Sequence, residues 1–148
     1  MTLPALRDKI QQAEDLIRSH PASMVGDCCP LKHTFVDGAY VREIRMPKGL
    51  LLTSKIHKVT HPFFILKGEV SVVNSEEDGG SLRIKAPYWG VTPSGTKRVL
   101  YIHEDTTWVT VHVTKERSLD EIEKEIIATS YEALESDNAP VLAFKEED

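Results

Sequence analysis

The sequence lacks the features that mark membrane-spanning proteins, disulfide-bonded secreted proteins and nucleic-acid-binding proteins. No apolar run approaches the roughly 20 residues that a transmembrane helix needs. The chain has only two cysteines, Cys28 and Cys29, and adjacent cysteines do not form an ordinary structural disulfide. Basic residues are outnumbered, with 18 Lys and Arg against 23 Asp and Glu and a formal net charge of −5. Because nucleic acids and anionic membranes are bound through basic patches, we expect neither as a partner.

The N-terminal segment carries charged side chains throughout and has no apolar stretch of the kind found in signal peptides. Together with the scarcity of cysteine, this predicts a protein of the reducing cytoplasm. The composition is ordinary for a globular protein, with 41% apolar and 28% charged residues. A chain of 148 residues is long enough to bury a substantial core, so we expect one domain over residues 1–148.

A helix is predicted at each end of this domain. Over residues 3–18 the apolar side chains of Leu6, Ile10, Ala13 and Ile17 recur at helical spacing and form one stripe. The stripe predicts an amphipathic helix.

The second predicted helix covers about residues 118–130. Ser118 is followed by Glu121 at the spacing of a capping box, which indicates a helix start. After about residue 130 the chain becomes polar, and we expect a C-terminal tail there.

The segment between the two helices, about residues 33–114, has an apolar period of two. Eight or nine short runs of this kind are separated by turn sequences, among them Pro47-Lys48-Gly49 and Glu104-Asp105. Many short strands with regular turns are typical of a β-sandwich or β-barrel.

The spacing of glycine and histidine within residues 49–68 resembles the first of the two motifs of the cupin superfamily. That motif runs Gly, five residues, His-x-His, three or four residues, Glu, six residues, Gly. Here Gly49, His57 and Gly68 stand at their expected positions. Lys55 takes the place of the first His, and His61 takes the place of the Glu.

The second cupin motif contains Pro-x-Gly, two residues, His, three residues and Asn. The turn is present as Pro93 and Gly95, whereas Arg98 replaces the His and Ile102 replaces the Asn. The resemblance covers about residues 38–114. It implies a mainly β fold, a cupin-type jelly-roll barrel or double-stranded β-helix, and extends to small cupin-like proteins common in phage genomes.

The resemblance implies a metal site at His57 and His61. Neutral imidazoles are good ligands for divalent transition metals such as Zn, Ni or Fe. A third ligand is needed, for which His103 is the first candidate and His112 the second. The alternative is that His57 and His61 are polar residues that line a metal-free pocket.

Lys55 and Arg98 place cations where the resemblance implies metal ligands. If both point inward, the pocket is electropositive and favours a small anionic molecule, a carboxylate or a phosphate. The β region offers few inward carboxylates, so we expect the ligand to supply the negative charge. The alternative is that both side chains extend to the rim. Tyr101 is a candidate for stacking on the ligand, although aromatic residues in β domains also serve the core or an interface.

No reaction is specified by these residues, because one fold hosts many functions. The leading hypothesis is a small metal-binding cupin that holds an anionic molecule, with or without metal-dependent catalysis. The alternative is a non-catalytic binding or assembly module, for example a phage accessory protein, with a degenerate metal site. In either case we expect a homodimer, since open sheet edges need covering.

Overall fold

The computed structural model describes residues 3–20, 29–74 and 82–128 of the chain. Its helices are α1 (Leu3–Ser19) and α2 (Leu119–Ile126). Its strands, in chain order, are β1 (Leu31–Val36), β2 (Ala39–Met46), β3 (Leu51–Thr53), β4 (Ile56–His57), β5 (His61–Asn74), β6 (Leu82–Lys85), β7 (Tyr88–Thr92), β8 (Arg98–Val113) and β9 (Ile127–Ala128). None of the helices in these ranges has the length and apolar character needed to cross a bilayer.

Seven strands form one antiparallel sheet in the order β1-β2-β8-β5-β6, with β3 paired to β8 and β7 paired to β5. The two-residue strands β4 and β9 pair with each other. The prediction of a mainly β fold with a helix before and after the strands is therefore confirmed.

The core lies on the inner face of the long strands β5 and β8. Alternate residues of β8 point inward, so that Leu100, Ile102 and Trp108 are buried. They pack against Ile65 and Val70 of β5 in one apolar cluster. The alternation that predicted strands thus also determines which side chains form the core.

The predicted turn at Glu104-Asp105 is wrong, because β8 continues through both residues. β5 accompanies β8 along this length, and the pairing shifts register near Gly68, as at a β-bulge. Gly68 has a φ of +107°, and a Cβ there would lie 2.6 Å from Thr106 Cα. The two strands therefore bend together at a close backbone approach instead of ending in a turn.

The helix α1 packs against β3 and β8 of its own chain. Ile10, from the predicted apolar stripe, is 2% exposed. Glu14 on the same side of the helix is equally buried, and it contacts Lys97 and Thr53. This face therefore combines apolar contact with a buried ion pair.

The helix α2 is shorter than predicted, because Ile127 and Ala128 leave it to form β9. The backbone of Ile127 pairs with that of His57, and the β-branched side chains of Ile126 and Ile127 suit this transition. Ser118 is at the N-cap but makes no side-chain capping hydrogen bond, so the predicted capping box is not formed. The predicted polar tail lies outside the described residues, as does Cys28, whereas Cys29 is buried.

Candidate functional site

A cavity of about 130 Å³ lies between the inner face of the sheet and the C-terminal helix. Ile44 of β2, with Leu100 and Trp108 of β8, lines it from the sheet side. Ile122 of α2 and Ile127 of β9 line the opposite wall. The C-terminal segment therefore completes an enclosure that the sheet alone leaves open.

Three histidines from three strands meet beside this cavity. His57 lies on β4, His61 begins β5, and His112 is near the end of β8. The ring centroid of His61 lies 4.7 Å from that of His57 and 4.3 Å from that of His112, and the outer two are 6.4 Å apart. We refer to these residues as the histidine cluster.

Each member of the histidine cluster has one buried ring nitrogen without a hydrogen-bond partner: Nδ1 of His57, Nε2 of His61 and Nδ1 of His112. The Nδ1 atom of His61 lies 2.9 Å from the carbonyl oxygen of Val59. Because a carbonyl only accepts, Nδ1 carries the proton and Nε2 bears a lone pair. A histidine oriented in this way through its other nitrogen is a common arrangement of metal ligands.

The surroundings keep the histidine cluster uncharged. Burial, followed by the neighbouring His61 and the Arg98 cation, holds the pKa of His57 well below its ordinary value of 6.5. Burial also lowers the pKa of His61, although its bond to Val59 opposes the shift. For His112, burial and His61 lower the pKa to about 3. At neutral pH the cluster therefore presents neutral imidazoles, the form that binds metals.

The structure places His103 apart from His57 and His61. Its Nε2 atom lies 2.7 Å from Ser71 Oγ, and its ring meets Tyr101 edge-on at 4.9 Å. Neither His103 nor Tyr101 lines the cavity, and Tyr101 is 42% exposed. His112, the second candidate for a third ligand, is the histidine whose ring lies beside those of His57 and His61.

The positions of these side chains do not form a finished metal site. Within residues 3–20, 29–74 and 82–128, no group of three or more His, Cys, Asp or Glu is placed so that it could hold a metal ion. The donor chemistry of the histidine cluster fits a transition metal, whereas its rings as described are not placed around one ion.

Lys55 and Arg98 both line the cavity and are only 8% and 4% exposed. The Nζ atom of Lys55 lies 3.5 Å from Glu123 Oε1, across the cavity on α2. Part of the negative charge that we expect beside Lys55 is therefore supplied by a carboxylate of α2.

The guanidinium of Arg98 lies over two aromatic rings, 5.0 Å from the centroid of Phe63 and 5.6 Å from that of Trp108. Its Nη2 atom donates to Thr92 Oγ1 at 2.9 Å. The backbone N–H of Arg98 donates to Ser54 Oγ, also at 2.9 Å. Stacking and hydrogen bonds thus hold this cation in one orientation.

Sequence reasoning missed cavity residues on both β2 and α2. Arg42 and Tyr40 line the cavity from β2, and their alternation with Ile44 and Met46 in the sequence was a usable signal that they share one face. Glu123 had no such signal, because its position depends on how α2 docks on the sheet.

Comparisons with known proteins show similarity to cupins. No protein-family model matches the sequence, and no curated protein matches it. The chain is similar to the cupin domain of Cnp3 from Schizosaccharomyces pombe, at 17% identity and a TM-score of 0.49, over 71% of this chain and 74% of that one. A second similar structure is an RmlC-like cupin family protein with a double-stranded β-helix fold from Methanocaldococcus jannaschii, at 12% identity and a TM-score of 0.48, over 66% of this chain and 94% of that one. A third is a cupin superfamily protein from Desulfitobacterium hafniense, at 9% identity and a TM-score of 0.48, over 57% of this chain and 76% of that one.

At these identities and TM-scores the similarity identifies no activity. The glycines of the two motifs lie where the backbone turns: Gly49 follows β2, Gly68 lies at the bulge in β5, and Gly95 lies between β7 and β8. Seven of the described strands thus form one antiparallel sheet that carries the glycine turns of the two motifs.

Proposed function

We propose that the protein is a metal-binding cupin that holds a small anionic molecule in the cavity beside α2. The observation that carries the proposal is the histidine cluster, with its three buried and unpartnered ring nitrogens. Unsatisfied buried polar atoms are costly, so a cluster of them indicates an occupant that the protein chain does not itself provide.

In this proposal His57, His61 and His112 hold a divalent transition metal such as Zn, Ni or Fe. Imidazole suits these ions, and three protein ligands leave a coordination position open toward water or a bound molecule. A bound ion of this kind supplies Lewis-acid polarisation of a ligand oxygen. The protein would contribute neutral donors and the orienting hydrogen bond from His61 to Val59.

The test is a titration of untagged, metal-depleted protein with Co²⁺ and Zn²⁺, followed by visible absorption and by thermal unfolding. Wild-type protein is expected to bind, and His112→Ala to lose most of the affinity. His103→Ala is the matched control, because it removes a histidine of β8 that lies outside the cluster. Failure of wild type to bind either ion, or equal losses in both variants, would contradict the metal site.

The anionic ligand is supported by the cations of the cavity wall. Arg42, Lys55 and Arg98 all line it, and an arginine fork matches the geometry of a carboxylate or phosphate. Arg98→Ala is expected to weaken binding of a probe anion, acetate or phosphate, by more than the roughly 1 kcal/mol of an exposed ion pair. Arg98→Lys restores binding only in part, since the fork is lost. Arg45→Ala serves as the control, because that side chain is 69% exposed.

We also propose that two copies of the chain associate through the outer face of the sheet. Trp89 and Val91 of β7 are 66% and 51% exposed. Trp89 stacks on Phe64 of β5, which pairs in turn with Val109 of β8. An exposed apolar patch of this kind can pack against its own copy, and two-fold dimers are the commonest assemblies.

The exposed apolar face also favours the second candidate function, a non-catalytic assembly module with a degenerate metal site. In that case the protein associates as described but binds no metal. The metal titration above therefore discriminates between the two functions, because association alone is common to both.

A further inference from the structure

The wall of the cavity is apolar over most of its extent. In addition to the cations and histidines, it is lined by the following residues: Leu31, Ile44, Met46, Leu100, Trp108, Leu119, Ile122, Ile126 and Ile127. At about 130 Å³ the cavity is close in size to an engineered apolar cavity of about 150 Å³ that binds benzene. A small apolar body fits such a space better than a sugar or a nucleotide does.

One carboxylate faces this space. Among the described residues that line the cavity, Glu123 is the only acidic one. Its Oε1 atom lies 3.5 Å from Lys55 Nζ, and the two side chains are 31% and 10% exposed. The pair joins α2 to the segment between β3 and β4, at the edge of an apolar enclosure.

A carboxylate that enters the cavity competes with Glu123 for the buried ammonium of Lys55. The Lys55 ammonium is largely removed from water, so a nearby anion contributes more to its free energy than it would on the surface. Glu123 is the more exposed partner and belongs to a helix of eight residues. When its carboxylate leaves Lys55 it regains hydration, which offsets part of the lost attraction. A second carboxylate in the cavity can therefore take its place.

We propose that the ligand is a small amphipathic monocarboxylate, and that Glu123 occupies the position of its carboxylate when the ligand is absent. The ligand headgroup replaces Glu123 beside Lys55, within reach of the cationic wall formed with Arg98. Its apolar body lies against Trp108, Leu100 and Ile122. This inference rests on the anion-binding part of the proposed function and adds the ligand class and a residue that sets affinity.

The experiment measures binding of benzoate, its neutral analogue benzamide, and acetate by calorimetry or by NMR of the full chain. Benzoate is expected to bind about tenfold or more tightly than either, because benzamide lacks the charge and acetate lacks the apolar body. Glu123→Gln removes the internal competitor and is expected to tighten benzoate binding several-fold. Glu121→Gln is the matched control, since it makes the same charge change on the same helix at a side chain 53% exposed and paired with Lys124.

The possible outcomes distinguish the exchange of carboxylates from the anion site on which it depends. Tighter benzoate binding by Glu123→Gln, with Glu121→Gln unchanged, supports the exchange of carboxylates. Binding of acetate as tight as that of benzoate, or an identical response of the two variants, overturns the inference and leaves the anion site standing. If neither acetate nor benzoate binds wild type or Glu123→Gln, both the inference and the proposed anion site are wrong.

Discussion

Glu14 of α1 and Lys97, the residue before β8, form an ion pair whose side chains are only 3% and 4% exposed. Thr53 Oγ1 also donates to Glu14 Oε1 at 3.0 Å, and Arg18 Nη2 lies 3.1 Å from the same oxygen. The N-terminal helix is thereby joined to the start of the strand that carries Arg98. A buried pair of this kind positions the helix, whatever its net contribution to stability.

The first prediction concerns this pair. Glu14→Leu is expected to lower the free energy of unfolding by about 3–5 kcal/mol, because it removes the carboxylate from a buried ammonium. Glu14→Leu combined with Lys97→Met should be less destabilising than Glu14→Leu alone, since both buried charges are then absent. Urea unfolding of the single and double variants measures this. Lys124→Met, in a pair 53% exposed on both sides, is the control and should change stability by about 1 kcal/mol or less.

The second prediction is a dependence of stability on pH. Burial raises the pKa of Glu14, but the hydrogen bond and charge of Lys97, with Arg18 and Thr53, outweigh it and hold the pKa below its ordinary value of 4.5. The ionised Glu14 carboxylate therefore stabilises the folded state at pH values above the pKa that Glu14 has in the unfolded chain. This stabilisation is lost as the pH falls through the lower pKa that Glu14 has in the folded protein. The stability difference between wild type and Glu14→Gln should narrow between about pH 6 and about pH 3. A difference that stays constant over this range would contradict the assignment.

The third prediction concerns the bend in the two long strands. Gly68→Ala is expected to cost at least about 2 kcal/mol, because the new Cβ meets the backbone of Thr106 and the φ of +107° is strained for alanine. Gly38→Ala is the control: its φ is +80°, with no atom within 4 Å of the added Cβ. For that variant we expect a loss of only about 1–2 kcal/mol in the free energy of unfolding, because alanine is strained at a positive φ. Thermal and urea unfolding compare the two, and equal losses would remove the close approach as the cause.

The fourth prediction tests the association of two copies. Wild-type protein is expected to be a dimer in light scattering at high micromolar concentration, and Trp89→Glu a monomer, because the charge would be buried without a partner. Leu16→Glu adds the same charge at a residue of α1 that is 72% exposed, and it should leave the dimer intact. The proposed interface is wrong if wild type is a stable monomer, or if Leu16→Glu dissociates the dimer and Trp89→Glu does not.

Much of the fold could be predicted because strand alternation is a local property. The period of two over residues 39–46 and within β8 determines that Ile44, Leu100 and Trp108 share the inner face. The turn predicted at Glu104-Asp105 is wrong because it depends on a non-local property. Two polar residues form a turn only where the neighbouring strand does not continue beside them. Here β5 continues, and Gly68 lets both strands bend.

The same difference between local and long-range geometry applies to the residues of the candidate site. The sequence predicts His57 at the end of an extended run and His61 after a turn of three residues, so their proximity follows from short-range geometry. The choice between His103 and His112 required the phase of alternation along the whole of β8, which the predicted turn at Glu104-Asp105 interrupted. It depends on the direction in which each side chain leaves β8, and His103 leaves toward Ser71 while His112 lies on the buried face.

The sequence by itself determined the architecture, the turns at its motif glycines and the presence of Lys55 and Arg98 near the two motifs, because each follows from residue spacing along a strand or turn. Only the tertiary structure decided that His112 completes the histidine cluster and that Glu123 faces Lys55. These contacts join segments far apart in the chain. They arise from the docking of α2 and the bending of β8, which depend on the packing of the whole core.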